Sequence, residues 1–223
     1  APLQLIIGDA LGLVVSRYQP EKLAAMELHW DANLPAQGAP WSVVAWPNST
    51  NNGNAFDIQV PNVLSLLITH SPTGRVEGLN DFAPADRPSA VEAALTFYAF
   101  RVMLAIGVFM IALAALGIWF WYKGRLTLAA ISKHRTFLTL WAVSIPLGFI
   151  ATEAGWMTRE IGRQPWVMYH MLKTSEGLSS GLNSVVISIA FTGIVLMYIT
   201  ILALFIYFVV RIIKKGPDLT AQP

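Results

Sequence analysis

Long apolar runs alternate with polar segments along the chain, and three of these runs are long enough to cross a lipid bilayer. They cover roughly Ala93–Tyr122, Phe137–Thr158 and Val185–Val210, and a helical span needs about 20 residues. Lipid offers no hydrogen-bond partner to the backbone, so the pattern predicts helices rather than isolated strands. A shorter apolar run, Leu3–Val15, predicts the outer end of a helix that begins in a preceding half of the folded unit.

The composition indicates an integral membrane protein. Of the 223 residues, 55% are hydrophobic and 13% are charged, and the mean hydropathy is +0.53; these values are typical of membrane proteins. The basic residues are scattered, which argues against a nucleic-acid partner. The sequence has no cysteine, which excludes disulfides, thiolate metal sites, iron–sulfur clusters and thioether-linked haem.

Charges are distributed unevenly around the spans. The connector after the first span and the segment after the last contain seven basic residues and one acid: Lys123, Arg125, Lys133, Arg135, Arg211, Lys214, Lys215 and Asp218. The opposite side has seven basic residues and ten acids. The positive-inside rule therefore predicts a cytoplasmic C-terminus and an external segment 17–91. We expect that segment, which contains the polar patch Asn48–Asn54, to be a partly ordered loop on the membrane surface.

Glu153 lies within the second span, where an ionised side chain costs about 2.5–3.5 kcal/mol. Phe149 and Trp156 share its helical face. Such an acid usually meets a partner, a cavity or a metal. Two interpretations remain open from the residues alone: a functional site, or a packing salt bridge with Arg159 or Arg163.

Met103 raises a similar choice in the first span. Small residues and one further methionine continue its stripe at helical spacing: Ala99, Gly107, Met110, Ala114 and Gly117. A flat ring could approach the sulfur there, or the stripe could serve only close helix packing. Arg101 points to a different face and is costly at this depth unless it meets an acid or a propionate.

The four histidines, His29, His70, His134 and His170, all lie outside the predicted spans. A bis-histidine haem held wholly by these helices is therefore excluded by the sequence. If haem binds, methionine and glutamate remain as the ligands that this chain can offer.

An ordered series of motifs resembles the C-terminal half of subunit I of cytochrome bd-type quinol oxidases over nearly the whole chain. The motifs are GDALG, QPEKLAAMELHW, FDIQVPNVLSLLITHS, GLNDFAPADRP, FYAFRVM, EAGW and GRQPW. The resemblance implies an all-α integral membrane fold of nine helices in subunit I. This chain would supply the end of one helix (residues 1–16), an external quinol-binding loop of the short type (17–91), and three full spans with a cytoplasmic tail (92–223).

The resemblance also implies roles for individual residues. Met103 matches an axial ligand of a low-spin haem b, with Arg101 beside it, and Glu153 matches the ligand of a high-spin haem b. Haem d would be held mainly by the missing half. Residues that would support the haem region are Trp156, Arg163, Gln164, Trp166 and Phe149, the last standing where the family often has tryptophan.

In the loop, Lys22 and Glu27 match residues that the family associates with quinol oxidation. A lysine can hydrogen-bond a quinone oxygen, and a glutamate can accept a quinol proton. The structural alternative is a surface helix that starts at Pro20 and buries Leu23, Met26 and Trp30.

The implied activity is quinol oxidation at the external face of the bacterial cytoplasmic (inner) membrane, with electrons passing through haems b to haem d for reduction of O2 to water. The implied partners are the N-terminal half of subunit I, subunit II, a small single-helix subunit, quinol and membrane lipid. A haem-free transporter or channel, or a structural anchor, is the alternative function. The identity of the quinone and the placement of haem d relative to the high-spin haem b stay open.

Overall fold

The computed structural model describes residues 2–48, 52–127, 134–177, 181 and 183–216. Part of the patch Asn48–Asn54, together with Lys133, Asp218 and the rest of the tail beyond Gly216, lies outside the described residues. The chain divides into two compact units, Ala1–Gly177 and Leu178–Pro223.

Within its described residues, the first unit contains five α-helices and two antiparallel hairpins. Its helices are α1 (Pro2–Tyr18), α2 (Pro20–Glu27), α3 (Val63–Thr69), α4 (Ala90–Tyr122) and α5 (Arg135–Ile161). Strands β1 (Trp41–Asn48) and β2 (Gly53–Val60) pair in one hairpin, and β3 (Trp166–Met168) and β4 (Leu172–Lys173) pair in the other. A 3₁₀ turn covers Leu79–Asp81. The second unit contains helix α6 (Ser184–Lys215).

Helices α4, α5 and α6 are each long and apolar enough to cross a membrane, which confirms the three predicted spans. Local sequence explains where α4 begins: the Ser89 hydroxyl accepts a hydrogen bond from the backbone N–H of Glu92, and the Glu92 carboxylate accepts one from the backbone N–H of Ser89. This reciprocal cap satisfies donors that the first helical turn leaves unpaired. Helices α4 and α5 pack through Leu113, Phe120 and Phe137.

The expected all-α fold omits the two hairpins, and the segment expected to be only partly ordered holds β1, β2 and α3. We refer to residues 19–88 as the loop segment. Strand β1 reads Trp-Ser-Val-Val-Ala-Trp, rich in the β-branched and aromatic residues that favour strands. The Asn52-Gly53 pair between the two apolar runs is a strong hairpin signal, which we interpreted only as part of a polar patch.

The loop segment has its own hydrophobic core, which joins it to α4. Ala24, Ala25 and Leu28 pack with Ala93 and Phe97 of α4. Gly162, which follows α5, is buried where three helices meet. A Cβ added to Gly162 would lie 2.8 Å from Thr96 Cγ2 and 3.3 Å from Lys22 Cγ. A larger residue would therefore push α2 and α4 away from the end of α5.

Candidate functional site

The polar residues of α2 face three different neighbours. Lys22 and Glu27 are five positions apart, which places them about 140° apart around the helix. Glu27 reaches α4, whereas Lys22 reaches the end of α5. The structure therefore does not place the two predicted quinol residues on one face.

Glu27 forms a buried ion pair with Arg101 of α4. The Arg101 Nη2 atom lies 2.5 Å from Glu27 Oε2, and the two side chains are only 12% and 7% exposed. Burial raises the pKa of Glu27, and the Arg101 charge and hydrogen bonds from Arg101 and Trp41 oppose that rise. An arginine at this depth is costly unless it meets an acid or a propionate, and Glu27 supplies the acid.

Arg101 holds the start of β1 as well as α2. Its Nε and Nη2 atoms donate to the Ser42 carbonyl at 3.1 and 2.6 Å. The guanidinium carbon lies 4.8 Å from the ring centroid of Trp41 and 4.4 Å from that of Phe97, within the range of cation–π attraction. The Nη1 atom of Arg101 is buried and has no hydrogen-bond partner among the described residues, so it remains available as a donor to an anion.

Lys22 lies at the end of α5. Its Nζ atom donates to the Arg159 carbonyl at 3.3 Å. Burial lowers the pKa of Lys22, the Arg159 and Arg163 charges lower it further, and the Glu160 charge opposes them. A lysine with a lowered pKa releases a proton more readily than an exposed one.

Glu21 is a buried acid that the sequence analysis missed. It is 4% exposed, and its Oε1 atom lies 3.5 Å from Nε2 of His170. Its Oε2 atom has no hydrogen-bond partner within the part of the chain that the structure describes. A sequence signal was present, because Glu21 shares a helical face with Ala24, Ala25 and Leu28 at the spacing of a buried stripe.

Met103 packs against α5 at Gly155. A Cβ added to Gly155 would lie 3.0 Å from the Met103 sulfur, so glycine leaves the space that the sulfur occupies. Further along the stripe, Gly117 faces Phe137 and Trp141 of α5. The stripe therefore serves helix packing at both ends. Between them, a Cβ on Gly107 would meet nothing within 4 Å, which leaves an open surface one turn from the sulfur.

Glu153 lies on a different face of α5 from Gly155, about 200° away around the helix. It is exposed together with Phe149 and Trp156. No ion pair with Glu153 occurs among the residues that the structure describes, because Arg163 instead pairs with Glu160 at 2.5 Å, and Arg159 also approaches Glu160. The geometry thus gives no support to the salt-bridge interpretation.

The remaining predicted supporting residues build the connection after α5. Trp166 is buried, and its Nε1 atom donates to the Asp86 carbonyl at 3.0 Å. Gln164 accepts a hydrogen bond from the Thr174 hydroxyl at 2.7 Å. These contacts tie the β3–β4 hairpin to α5 and to the segment just before α4.

The donor atoms fit haem at two separate places. Met103 offers a thioether, a known haem ligand, beside the open surface at Gly107, and Arg101 offers an unpaired buried donor suited to a propionate. Glu153 offers an unpaired carboxylate on the other face of α5. Within the described ranges, no group of three or more His, Asp or Glu residues could form a protein-only metal cluster.

Comparisons with known proteins identify the family of the chain. Residues 1–217 match the family model of cytochrome bd terminal oxidase subunit I. The chain is 30% identical to cytochrome bd ubiquinol oxidase subunit 1 of Bacillus subtilis (strain 168), covering 97% of this chain and 48% of the relative. It is 27% identical to cytochrome bd-II ubiquinol oxidase subunit 1 of Escherichia coli (strain K12), covering 96% and 52%.

The bd oxidase structure from Geobacillus thermodenitrificans superposes with a TM-score of 0.75 at 31% identity, covering 96% of this chain and 46% of that one. The chain thus spans about half the length of the relatives it matches. Because the family match runs through all three candidate spans and the loop segment, this chain is a membrane protein that belongs to the cytochrome bd terminal oxidase subunit I family.

Proposed function

We propose that this chain is the C-terminal half of subunit I of a quinol oxidase that reduces O2 to water. The observation that carries the proposal is the position of Arg101. Its side chain binds Glu27 in the loop segment, and Met103 lies two residues further along the same helix. One turn of α4 therefore joins the loop proposed to receive quinol to the residue proposed to hold a haem.

Met103 would hold the low-spin haem b and Glu153 the high-spin haem b, with haem d held mainly by the other half of subunit I. The bound haems supply the one-electron chemistry that links quinol oxidation to oxygen reduction. Met103 lies on α4 against Gly155 of α5, whereas Glu153 lies on a different face of α5 from Gly155. This separation supports two haem sites rather than one.

The loop segment would bind quinol at the external face. Lys22, with its lowered pKa, can hydrogen-bond a quinone oxygen and exchange a proton with it. Glu27 can take part in proton transfer only if its pair with Arg101 loosens, because Arg101 and Trp41 already bind its carboxylate. We assign Glu27 chiefly to holding α2 against α4, and Lys22 to contact with the substrate.

The proposed setting is the bacterial cytoplasmic membrane, with the loop segment external and the C-terminus cytoplasmic. The excess of basic residues on the connector side supports this orientation. The partners would be the N-terminal half of subunit I, subunit II, a small single-helix subunit, quinol and lipid.

The test is the reduced-minus-oxidised absorbance spectrum of the purified complex, for the natural chain and for Met103→Leu. Met110→Leu is the matched control, because Met110 lies on the same stripe and is exposed. Leucine preserves volume, at a cost typically below about 1.5 kcal/mol, but cannot ligate iron. We expect Met103→Leu alone to lose the low-spin signal. A complex without haem absorbance would favour a transporter or anchor instead.

A further inference from the structure

Glu21 is a buried acid to which the proposed function gives no role. Its carboxyl group is almost fully enclosed, and one of its oxygens has no hydrogen-bond partner in the described ranges. Enclosing a carboxyl group without full hydrogen bonding costs free energy. This cost indicates that the carboxyl group has a function, and its unpaired oxygen can accept a hydrogen bond from a ligand hydroxyl.

His170 connects this buried acid to water. It lies in the turn between β3 and β4, and its side chain is 60% exposed while Nε2 lies 3.5 Å from Glu21 Oε1. Its ring is 4.2 Å from the ring of Tyr169 and 5.3 Å from that of Trp166, measured between centroids. These aromatic contacts hold the imidazole beside the carboxyl group while leaving it accessible to solvent.

The charged groups around Glu21 are His170, Glu77 and Asp86. Asp86 is itself paired with Lys173, whose Nζ atom lies 2.8 Å from an Asp86 oxygen. Burial raises the pKa of Glu21, the backbone hydrogen bond and His170 oppose the rise, and the two acids add to it. A carboxyl group with a raised pKa is a better proton acceptor than an exposed one.

We propose that Glu21 and His170 form a proton-release pair: Glu21 takes a proton from quinol bound beside Lys22, and His170 delivers that proton to the surrounding water. The inference rests on the proposed function, because it requires quinol at the first turn of α2. Glu21 and Lys22 are consecutive residues there, and both reach the segment from the end of α5 to the β3–β4 hairpin, Lys22 at the Arg159 carbonyl and Glu21 at His170. The proposal places the quinol head group between these two contacts.

One quinol O–H bond breaks, its proton binds the Glu21 carboxylate to give the carboxylic acid, and a haem held by Met103 would accept one electron. The acid then passes its proton to neutral His170, which becomes the imidazolium and releases a proton to water. Glu21 ends as the carboxylate and His170 as the neutral imidazole, so both are ready for the next proton. The second proton and the second electron of the quinol would leave in a second round of the same steps. Glu21 is thus the catalytic residue, and His170 acts through it.

The experiment compares Glu21→Gln, His170→Asn and His70→Asn in the purified complex. His70 is the matched control, because it is also an exposed histidine of the first unit with a positive φ, 56° against 55° for His170, and asparagine tolerates that conformation. O2 uptake with quinol as the electron donor is measured across pH, with and without added imidazole. Haem spectra, and O2 uptake with an artificial dye as the electron donor in place of quinol, show whether each complex has assembled.

We expect kcat to fall about 10²-fold in Glu21→Gln, in line with the loss of a proton acceptor, with loss of the acid limb of its pH profile. His170→Asn should lower kcat about tenfold with KM nearly unchanged, and added imidazole should restore it. His70→Asn should match the natural chain. Imidazole should not rescue Glu21→Gln, because the missing group there is the acceptor itself.

Unchanged kcat and pH profile in both Glu21→Gln and His170→Asn, in a complex that oxidises quinol, would overturn the proton-release pair alone. A natural complex that oxidises no quinol would instead overturn the proposed function. If Glu21→Gln fails to assemble, the imidazole response of His170→Asn decides: rescue supports the pair, and a kcat loss without rescue, or no loss, contradicts it.

Discussion

Removing one partner of the buried Glu27–Arg101 pair should weaken the contact between the loop segment and α4. Surface ion pairs contribute about 0–1 kcal/mol, but these side chains are only 12% and 7% exposed. For buried pairs, loss of one partner costs about 3–5 kcal/mol, because the other charge stays buried and unpaired. Arg101→Met also removes both hydrogen bonds to the Ser42 carbonyl.

Hydrogen exchange of the backbone amides in β1 measures this effect, since Arg101 binds the start of that strand. Each 1.4 kcal/mol is a factor of ten, so a loss of about 3 kcal/mol in local opening should speed exchange about 10²-fold or more. The β3–β4 hairpin serves as an internal control, because none of its described contacts involves Arg101. Its exchange should not change.

A double-mutant cycle separates the ion pair from the other contacts of Arg101. Glu27→Gln alone should cost less than Arg101→Met, because the Ser42 carbonyl still binds the guanidinium. In the Arg101→Met background, Glu27→Gln should recover stability, since it removes the orphaned charge. Two results would refute a buried, coupled pair. One is an exchange rate in Arg101→Met that is less than about fivefold higher than in the natural chain, which corresponds to about 1 kcal/mol. The other is strict additivity of the two substitutions in the cycle.

Three further predictions concern single positions. Gly155→Ala should shift the low-spin haem spectrum, because the new Cβ would lie 3.0 Å from the Met103 sulfur, whereas Gly148→Ala on the same helix meets nothing within 4 Å and should leave the spectrum unchanged. Glu153→Gln should deplete the high-spin haem while the complex still assembles, as measured by haem content; full occupancy would contradict the ligand assignment. As pH rises from the ordinary carboxyl pKa of 4.5 through the raised pKa of Glu21, Glu21→Gln should gain thermal stability relative to the natural chain. In that pH range the buried acid of the natural chain ionises, and the natural chain loses the stability that the protonated acid contributes. A stability difference that does not change with pH would argue against a buried titrating acid.

Periodicity and hydropathy were sufficient to predict the membrane helices. The first predicted span, Ala93–Tyr122, differs from α4 only by three residues at its start. The agreement is close because a long apolar run in lipid must satisfy its backbone hydrogen bonds internally, as a helix does. The hairpins were missed because their strands show no clear alternation of apolar and polar residues. Strands β3 and β4 have only three and two residues, and the pairing of β1 is irregular between Ser42 and Val44, which interrupts the alternation that marks a strand.

The site was predictable as a set of residues but not as an arrangement. Sequence required a partner for Arg101, but Glu27 is 74 positions away, and no local pattern specifies such a contact. Glu21 was missed because an acid beside a lysine near a helix start looks like an ordinary exposed pair. The histidine that it meets, His170 of the β3–β4 hairpin, lies far along the chain, so no local pattern specifies the contact.

Helix α2 also bears on how related sequences should be compared. Its Ala24 and Ala25 are fully buried beside Ala93 and Phe97 of α4, so larger side chains there would cause overlap. Steric selection alone would keep these positions small in any descendant of the fold, whatever reaction it performs. Glu21 is different, because enclosing an acid without full hydrogen bonding lowers stability and drift would tend to replace it with a neutral residue. In an alignment of this helix, invariant alanines would report only the shape of the interface, whereas a persistent acid at position 21 would report selection for chemistry.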